Sequence, residues 1–498
     1  MKLLFFLLVI FSIVSCGKSF LDTHPTDELG KEDALSSQSN VYAAMNGVYR
    51  KMVDQYMGNQ ACGGEPSMCM FRDCMGEDVI IPTASNGYYV GSARWLDHRN
   101  ATSVVDEFPF RFYYYLILQC NLVLEAIGES GSFLIPVEDS VQMCGIRGEA
   151  LGFRAWAHFQ LVQLYGQRYV AGELNTAAGV TYRKKPKTEV LKRDNVEDCY
   201  AYIHRDLDSA INYLMDYTPV SVTHLSLKVI YGIKARVFLT QQDYVSAAHY
   251  ASLAIRKAES EGFCLMQGEE CLNGFSKIIS RSREALWAAN TQDDQTVAFF
   301  SFYAFMSWNF NSSAIRVAPR CINSLLFAAL SSTDIRCRGG DPTGKLTGPT
   351  SAYKQYAYQN RKFEVVNTAI SAGDFAYMRL AELYLMKAEA LARSGDETGA
   401  RTTLKDFVVT RDAEYVMSAR TGEELTDEIM THRRIELWGE GFRFTDLKRL
   451  GIELDRKGTN YSKSVALVME IPADDLRWQW LIPESEIKTS LGMVEQNE

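Results

Sequence analysis

Apolar side chains return at every third or fourth position over residues 41–52 and 108–127, and in the second run Tyr114, Ile117, Asn121 and Leu124 share one face. That period predicts amphipathic helices. The stretch between them, residues 58–106, has no such period and is broken by Gly63-Gly64, Pro66, Pro82 and Asn86-Gly87, so it reads as loop. Two stronger helical patterns follow at 148–165 and 196–214, separated by a linker that carries the basic turn Arg183-Lys184-Lys185-Pro186. Only Gln241, Gln242 and Asp243 then part the helical runs 228–240 and 244–257. A connection that short forces an antiparallel helical hairpin.

The hairpin recurs. KARVFLTQQDYVSAA from Lys234 aligns without gaps on KAEALARSGDETGAR from Lys387, with Lys-Ala, the turn residues Asp243 and Asp396, and Ala247 and Ala400 in register. Ala235, Ala247 and Ala254 occupy the small positions of a tetratricopeptide unit, Tyr231 and Phe238 the large ones; Ala388, Ala400, Tyr384 and Leu391 match in the later copy, where Phe407 replaces the third small residue. Small residues belong where paired helix axes approach closely. One hairpin cannot bury its apolar face alone, so about four such units are expected to stack. The expected class is mainly α: a scaffold over about 35–258 and 375–450, interrupted by a loop-rich insertion over about 259–374 with minor β, such as EALWAAN at 284–290.

Composition narrows the function classes. The net charge of -9 and pI near 5.5 offer no attraction to nucleic acid, and no long basic run compensates. The N-terminus, MKLLFFLLVIFSIVSC, has one lysine and then a thirteen-residue apolar run from Leu3, broken only by Ser12. It is too short to span a bilayer and fits a secretory signal over residues 1–15. Ile13-Val14-Ser15-Cys16 resembles a bacterial lipobox, which implies lipidation of Cys16 and a single domain over 16–498. Ten cysteines remain of eleven; Cys264 and Cys271 are candidates for a local bridge, and Cys62, Cys69 and Cys74 lack the spacing of a zinc site.

The densest chemistry lies at 432–449, HRRIELWGEGFRFTDLKR. Leu425, Ile429, Arg433 and Leu437 fall at successive i+4 steps, so a guanidinium lies on an apolar stripe and must be paired if buried. Thr421 with Glu424 suggests a capping box and Gly441 a stop. Glu436 and Glu440 could suggest a glycosidase pair, but such enzymes need two carboxyls across the scissile bond, one with a raised pKa. Carboxylates on one helix among arginines would both stay ionised. The structural reading therefore prevails: Arg433, Arg434 and Arg443 are expected to pair with Glu436, Glu440 and Asp446. His432 and Glu436 lack a third metal ligand, and no GxSxG, P-loop or dinucleotide fingerprint occurs. No enzyme activity, cofactor or metal is expected.

The same segment resembles the C-terminal motif of the SusD/RagB family, ERRxELxxEGxRxxDLxR, with His432 replacing the first glutamate. YMRLAELYLMKAEAL at 377–391, GEALGFRAWAHFQLVQLYG at 148–166 and WLIPESEI at 480–487 extend the similarity over most of the chain, while the family's usual Asn-x-x-Arg is replaced around 405–411. The resemblance implies a SusD-like fold in an outer-membrane, cell-surface lipoprotein that binds an oligosaccharide and passes it to a SusC-like TonB-dependent transporter. A peptide-binding, RagB-like receptor is the alternative, and a glycoside hydrolase a more distant one.

Sugar rings present C–H faces that aromatic planes cover. The candidate ligand residues are therefore aromatics outside periodic runs: Tyr88, Tyr89 and Trp95, and the run FFSFYAFMSWNFN with Phe299, Phe300, Phe302, Tyr303, Phe305, Trp308 and Phe310. By order along the chain, both groups correspond to loops that supply the family's ligand arc. Trp95, Trp308 and Tyr303 are the first choices, with Tyr89 behind them. Arg72, Asp97, Asn100 and Asn311 are candidate polar partners, and Trp156, Trp287, Trp438 and Trp478 are assigned to packing.

Overall fold

The computed structural model describes residues 35, 37–127, 140–187, 189–295, 301–345, 349–350 and 352–498. Cys16, Phe299 and Phe300 lie outside them. The long helices are α1 (Gln38–Lys51), α2 (Gly64–Met75), α3 (Val104–Ile127), α4 (Ser140–Tyr165), α5 (Val196–Leu214), α6 (Leu227–Thr240), α7 (Tyr244–Ser260), α8 (Leu380–Arg393), α9 (Glu397–Val408), α10 (Gly422–Glu436) and α11 (Arg443–Leu450). Helices α3 to α9 stack in chain order, each against the next, as a repeat scaffold requires. The register of the two sequence copies has a local cause. Asp243 and Asp396 are N-caps, accepting the Ser246 N–H at 3.0 Å and the Gly399 N–H at 2.9 Å. Ala235, Ala247, Ala254, Ala388 and Ala400 are buried at the crossings. Gly232 in α6 stands at another close approach: a Cβ there would lie 2.4 Å from Met378 Sδ.

The described residues also form three small sheets, two of which tie the insertion to the rest of the chain. β2 (Ala285–Ala289) pairs antiparallel with β6 (Phe375–Arg379), which runs directly into α8. The 377–391 run thus opens as strand, not helix, because Tyr377 to Arg379 pair with β2. The second sheet has the order β1-β3-β5-β4, from β1 (Val79–Ile80), β3 (Cys321–Ile322), β4 (Gly340–Asp341) and β5 (Gln359–Asn360). Its pairing of Val79 with Ile322 brings residues 243 positions apart side by side. β7 (Leu454–Asp455) and β8 (Glu470–Ile471) form the third.

The 58–106 stretch is not all loop, since it contains α2, whose twelve residues are all buried. Gly63, Gly64 and Pro66, which read as breakers in the sequence, form its N-cap and first turn. Its charged side chains find partners inside the protein: Glu65 pairs with Arg72 and accepts the Tyr113 hydroxyl at 2.6 Å, and Asp73 accepts the Gly441 N–H at 2.8 Å. The ten described cysteines are free thiols, Cys264 and Cys271 included, which corrects the expected bridge; Cys264 is exposed and Cys271 buried. Among the described residues no helix is long and apolar enough to cross a membrane.

Candidate ligand-binding face

The 432–449 segment is a charge lattice whose partners lie mostly outside it. Arg433 pairs with Asp446 at 2.8 Å as expected. Arg434 reaches Asp78 at 2.5 Å and Arg443 donates to Glu77 at 2.7 Å, both just beyond α2. Glu436 accepts from Arg379 at 2.9 Å and from Arg411 at 3.0 Å, while Glu440 binds Arg379 and Lys362, each at 2.6 Å. Arg379 and Arg411 meet again on Glu284, deep beside β2. The segment therefore ties the first helices, the insertion and α8 together. Thr421 stands at the N-cap but makes no capping bond, and α10 ends at Glu436, before two left-handed glycines, Gly439 and Gly441. A Cβ at Gly441 would fall 2.6 Å from the Cys69 backbone, so close approach demands glycine there.

Burial alone would raise both carboxyls, but the charges beside them win. Arg411, Arg379 and Arg336 hold Glu436 well below the usual carboxylate range, and Arg379 with Lys362 lowers Glu440. Both are ionised acceptors with no spare proton. His432 packs edge-on against Tyr415 and contacts Arg336 at 3.0 Å; burial and that guanidinium pull its pKa down to about 3. Among the described residues no cluster of His, Cys, Asp and Glu has the makings of a metal site.

The two aromatic groups do meet. With β1 against β3, Tyr88 and Tyr89 lie 5.0 and 5.3 Å from the Phe305 ring, centroid to centroid. Trp308 follows, half-buried, on a short platform zipped to the 363–368 segment. Its backbone N–H donates to the Phe363 carbonyl at 3.0 Å, and Asn309 bonds both ways with Val365 at 2.8 and 2.9 Å. The indole N–H donates to Glu364 at 3.2 Å, and the Arg361 guanidinium lies 4.2 Å from the ring centroid. Asn311 is exposed next to it, its backbone N–H held by Thr368 at 2.8 Å.

The other three leading candidates are corrected by their burial. Trp95 is 2% exposed, donates its indole N–H to Met75 at 2.8 Å, and packs edge-on against Trp478. Tyr303 is 2% exposed with its hydroxyl on the Asp374 carbonyl at 2.8 Å, and Tyr89 is 3% exposed beneath Arg320. A ligand cannot cover rings enclosed by protein. Arg72 is locked to Glu65 inside the core, and Asp97 accepts Ser92 at 3.0 Å within a turn fastened to the C-terminal segment at Leu481. Asn100 is exposed in that same turn, where its side chain accepts the Thr102 hydroxyl at 2.8 Å. Trp156, Trp287, Trp438 and Trp478 are buried, as assigned. Arg361, Lys362 and Glu364 carry no local sequence signal, since their partners Trp308 and Glu440 lie far away in the chain.

The described residues thus form a stacked helical-repeat scaffold tied by a buried charge lattice to a loop-rich insertion that carries Trp308. The chain belongs to the SusD/RagB family: residues 337–498 match the SusD family, and residues 19–239 match the family described as starch-binding, associating with the outer membrane. It is 22% identical to SusD-like protein P38 of Formosa agariphila, over 89% of this chain and 90% of that one. A SusD-like carbohydrate-binding protein from Bacteroides vulgatus has a TM-score of 0.78 at 20% identity, covering 91% of this chain and 96% of its own. A laminarin-binding SusD-like protein has a TM-score of 0.67 at 18% identity, covering 93% and 99%.

Proposed function

We propose that the protein captures an oligosaccharide at the face around Trp308 and passes it to a TonB-dependent transporter of the SusC type, while lipid on Cys16 holds it at the outer membrane. The observation that carries this reading is the mounting of Trp308. Of the four aromatics singled out, it is the one left half-exposed, and its ring plane is fixed by Glu364 on the indole N–H and Arg361 on the ring. A preset aromatic plane loses little entropy when a sugar stacks on it. Tyr88, half-buried across Phe305, extends the surface, and Asn311 stands ready for hydroxyls. The carbohydrate ligands named for the two structural relatives support the same class. Binding without catalysis fits Glu436 and Glu440, since neither can act as the general acid that glycoside hydrolysis needs.

Titrating the purified protein with neutral glucan oligosaccharides tests the reading. Trp308→Ala should weaken binding about tenfold or more, corresponding to about 1.4 kcal/mol or more, with the thermal midpoint nearly unchanged. Trp95→Ala should instead cost about 3–5 kcal/mol of stability. Binding of peptides and of no glycan would replace the oligosaccharide with a peptide ligand. Glycan turnover that Glu440→Gln abolishes with the fold intact would overturn the non-catalytic reading.

A further inference from the structure

The basic turn at 183–187 has no part in the Trp308 face, yet the fold builds it with care. Tyr114 donates its hydroxyl to the Thr181 carbonyl at 2.9 Å, Asn121 donates to the Arg183 carbonyl at 3.0 Å, and His158 Nε2 accepts the Arg183 N–H at 3.0 Å. The turn is thereby docked along α3, and between them lies a cleft of about 400 Å³. That falls within the roughly 300–1,000 Å³ typical of small-ligand sites.

The two walls differ in chemistry. The α3 wall is an aromatic and apolar ledge of Phe110, Tyr114 and Ile117, with Tyr115 37% and Leu118 42% exposed. The opposite wall carries Arg183, Lys185 and Lys187. Lys185 and Lys187 are exposed and pair with no carboxylate among the described residues, and the Arg183 guanidinium donates to the Glu189 carbonyl at 2.7 Å. Arg111 lines the cleft too, but Glu107 neutralises it at 2.7 Å. Glu486 is the one lining carboxylate. A chain with a net charge of -9 thus concentrates cations on one side of a single cleft.

We propose that this cleft is a second site, which binds an anionic oligosaccharide. Pyranose faces would lie on the Tyr114–Tyr115 ledge, and carboxylate or sulfate-ester oxygens would meet Arg183, Lys185 and Lys187. A neutral glycan leaves the cations unused, and an acidic peptide has no need of the ledge. The inference rests on the cleft alone and is independent of the Trp308 face.

Isothermal titration of the purified protein at low salt tests it, with oligogalacturonate and a sulfated carrageenan oligosaccharide as probes and with cello-oligosaccharide and poly-glutamate for comparison. At least one anionic saccharide should bind, more weakly as salt rises. The exposed pair Lys185→Ala/Lys187→Ala should weaken it about tenfold, and Tyr115→Ala should weaken it severalfold. Glu486→Gln should tighten it, and Trp308→Ala should leave it unchanged. Failure of both anionic saccharides to bind, equal binding of cello-oligosaccharide or poly-glutamate, or indifference to the lysine pair would overturn the proposal. Loss of the signal in Trp308→Ala alone would also overturn it, by placing the anionic sugar on the other face.

Discussion

Glu436 shows how far a single position can be read. An arginine on an apolar stripe, with acids a turn away, called for buried pairing, and Arg433 does pair with Asp446. The partners of Glu436 were hidden, because Arg379 and Arg411 are 57 and 25 residues away in the chain. Glu436→Gln should cost about 3–5 kcal/mol in chemical denaturation, since the buried guanidinia of Arg379 and Arg411 lose the negative charge they share. His158 supplies the pH dependence. Its Nδ1 faces the Arg154 carbonyl at 2.9 Å and its Nε2 accepts the Arg183 N–H, so the folded protein needs the neutral tautomer. Burial pulls its pKa down to about 3, against about 6.5 in an unfolded chain. Between those values the unfolded state binds more protons, so stability falls as pH drops from about 6.5 to about 3. The advantage of wild type over His158→Gln in urea unfolding should shrink across that window, by at most about 1.4 kcal/mol per pH unit.

At the level of elements, several helices were legible to within a few residues, whereas α4 reaches back to Ser140, well before the 148–165 run. The 196–214 run is α5 without change, and the short Gln241–Asp243 connection does close a hairpin. α2 was not legible, because Gly63-Gly64 and Pro66, which read as breakers, stand at its N-cap and first turn. Crossing positions make the sharper test. Gly232→Leu should destabilise by about 1–3 kcal/mol or more, because its side chain must displace Met378 between α6 and β6. Gly47→Ala, exposed in α1 with nothing within 4 Å of the new Cβ, should stabilise by up to about 1 kcal/mol. Thermal and urea unfolding of the two variants would show the contrast.

For the whole molecule, the ten described cysteines act as core or isolated thiols. Burial pushes Cys62 and Cys271 up to about 12, which keeps them as unreactive thiols at neutral pH. Thermal unfolding with and without a thiol reductant should therefore coincide; a fall in the midpoint on reduction would reveal a bridge. Family, repeat register, helical class and the charge-paired state of the 432–449 carboxylates were all legible in the chain, because each rests on spacing within one helix or one motif. Which aromatics face solvent was not. Trp95 and Trp308 stand in similar loop-like contexts, and only the pairing of β1 with β3 and the packing of Trp478 decide that one is enclosed while the other keeps an open edge. Exposure belongs to the assembled surface, since it depends on what distant segments cover, and no local pattern of residues encodes that.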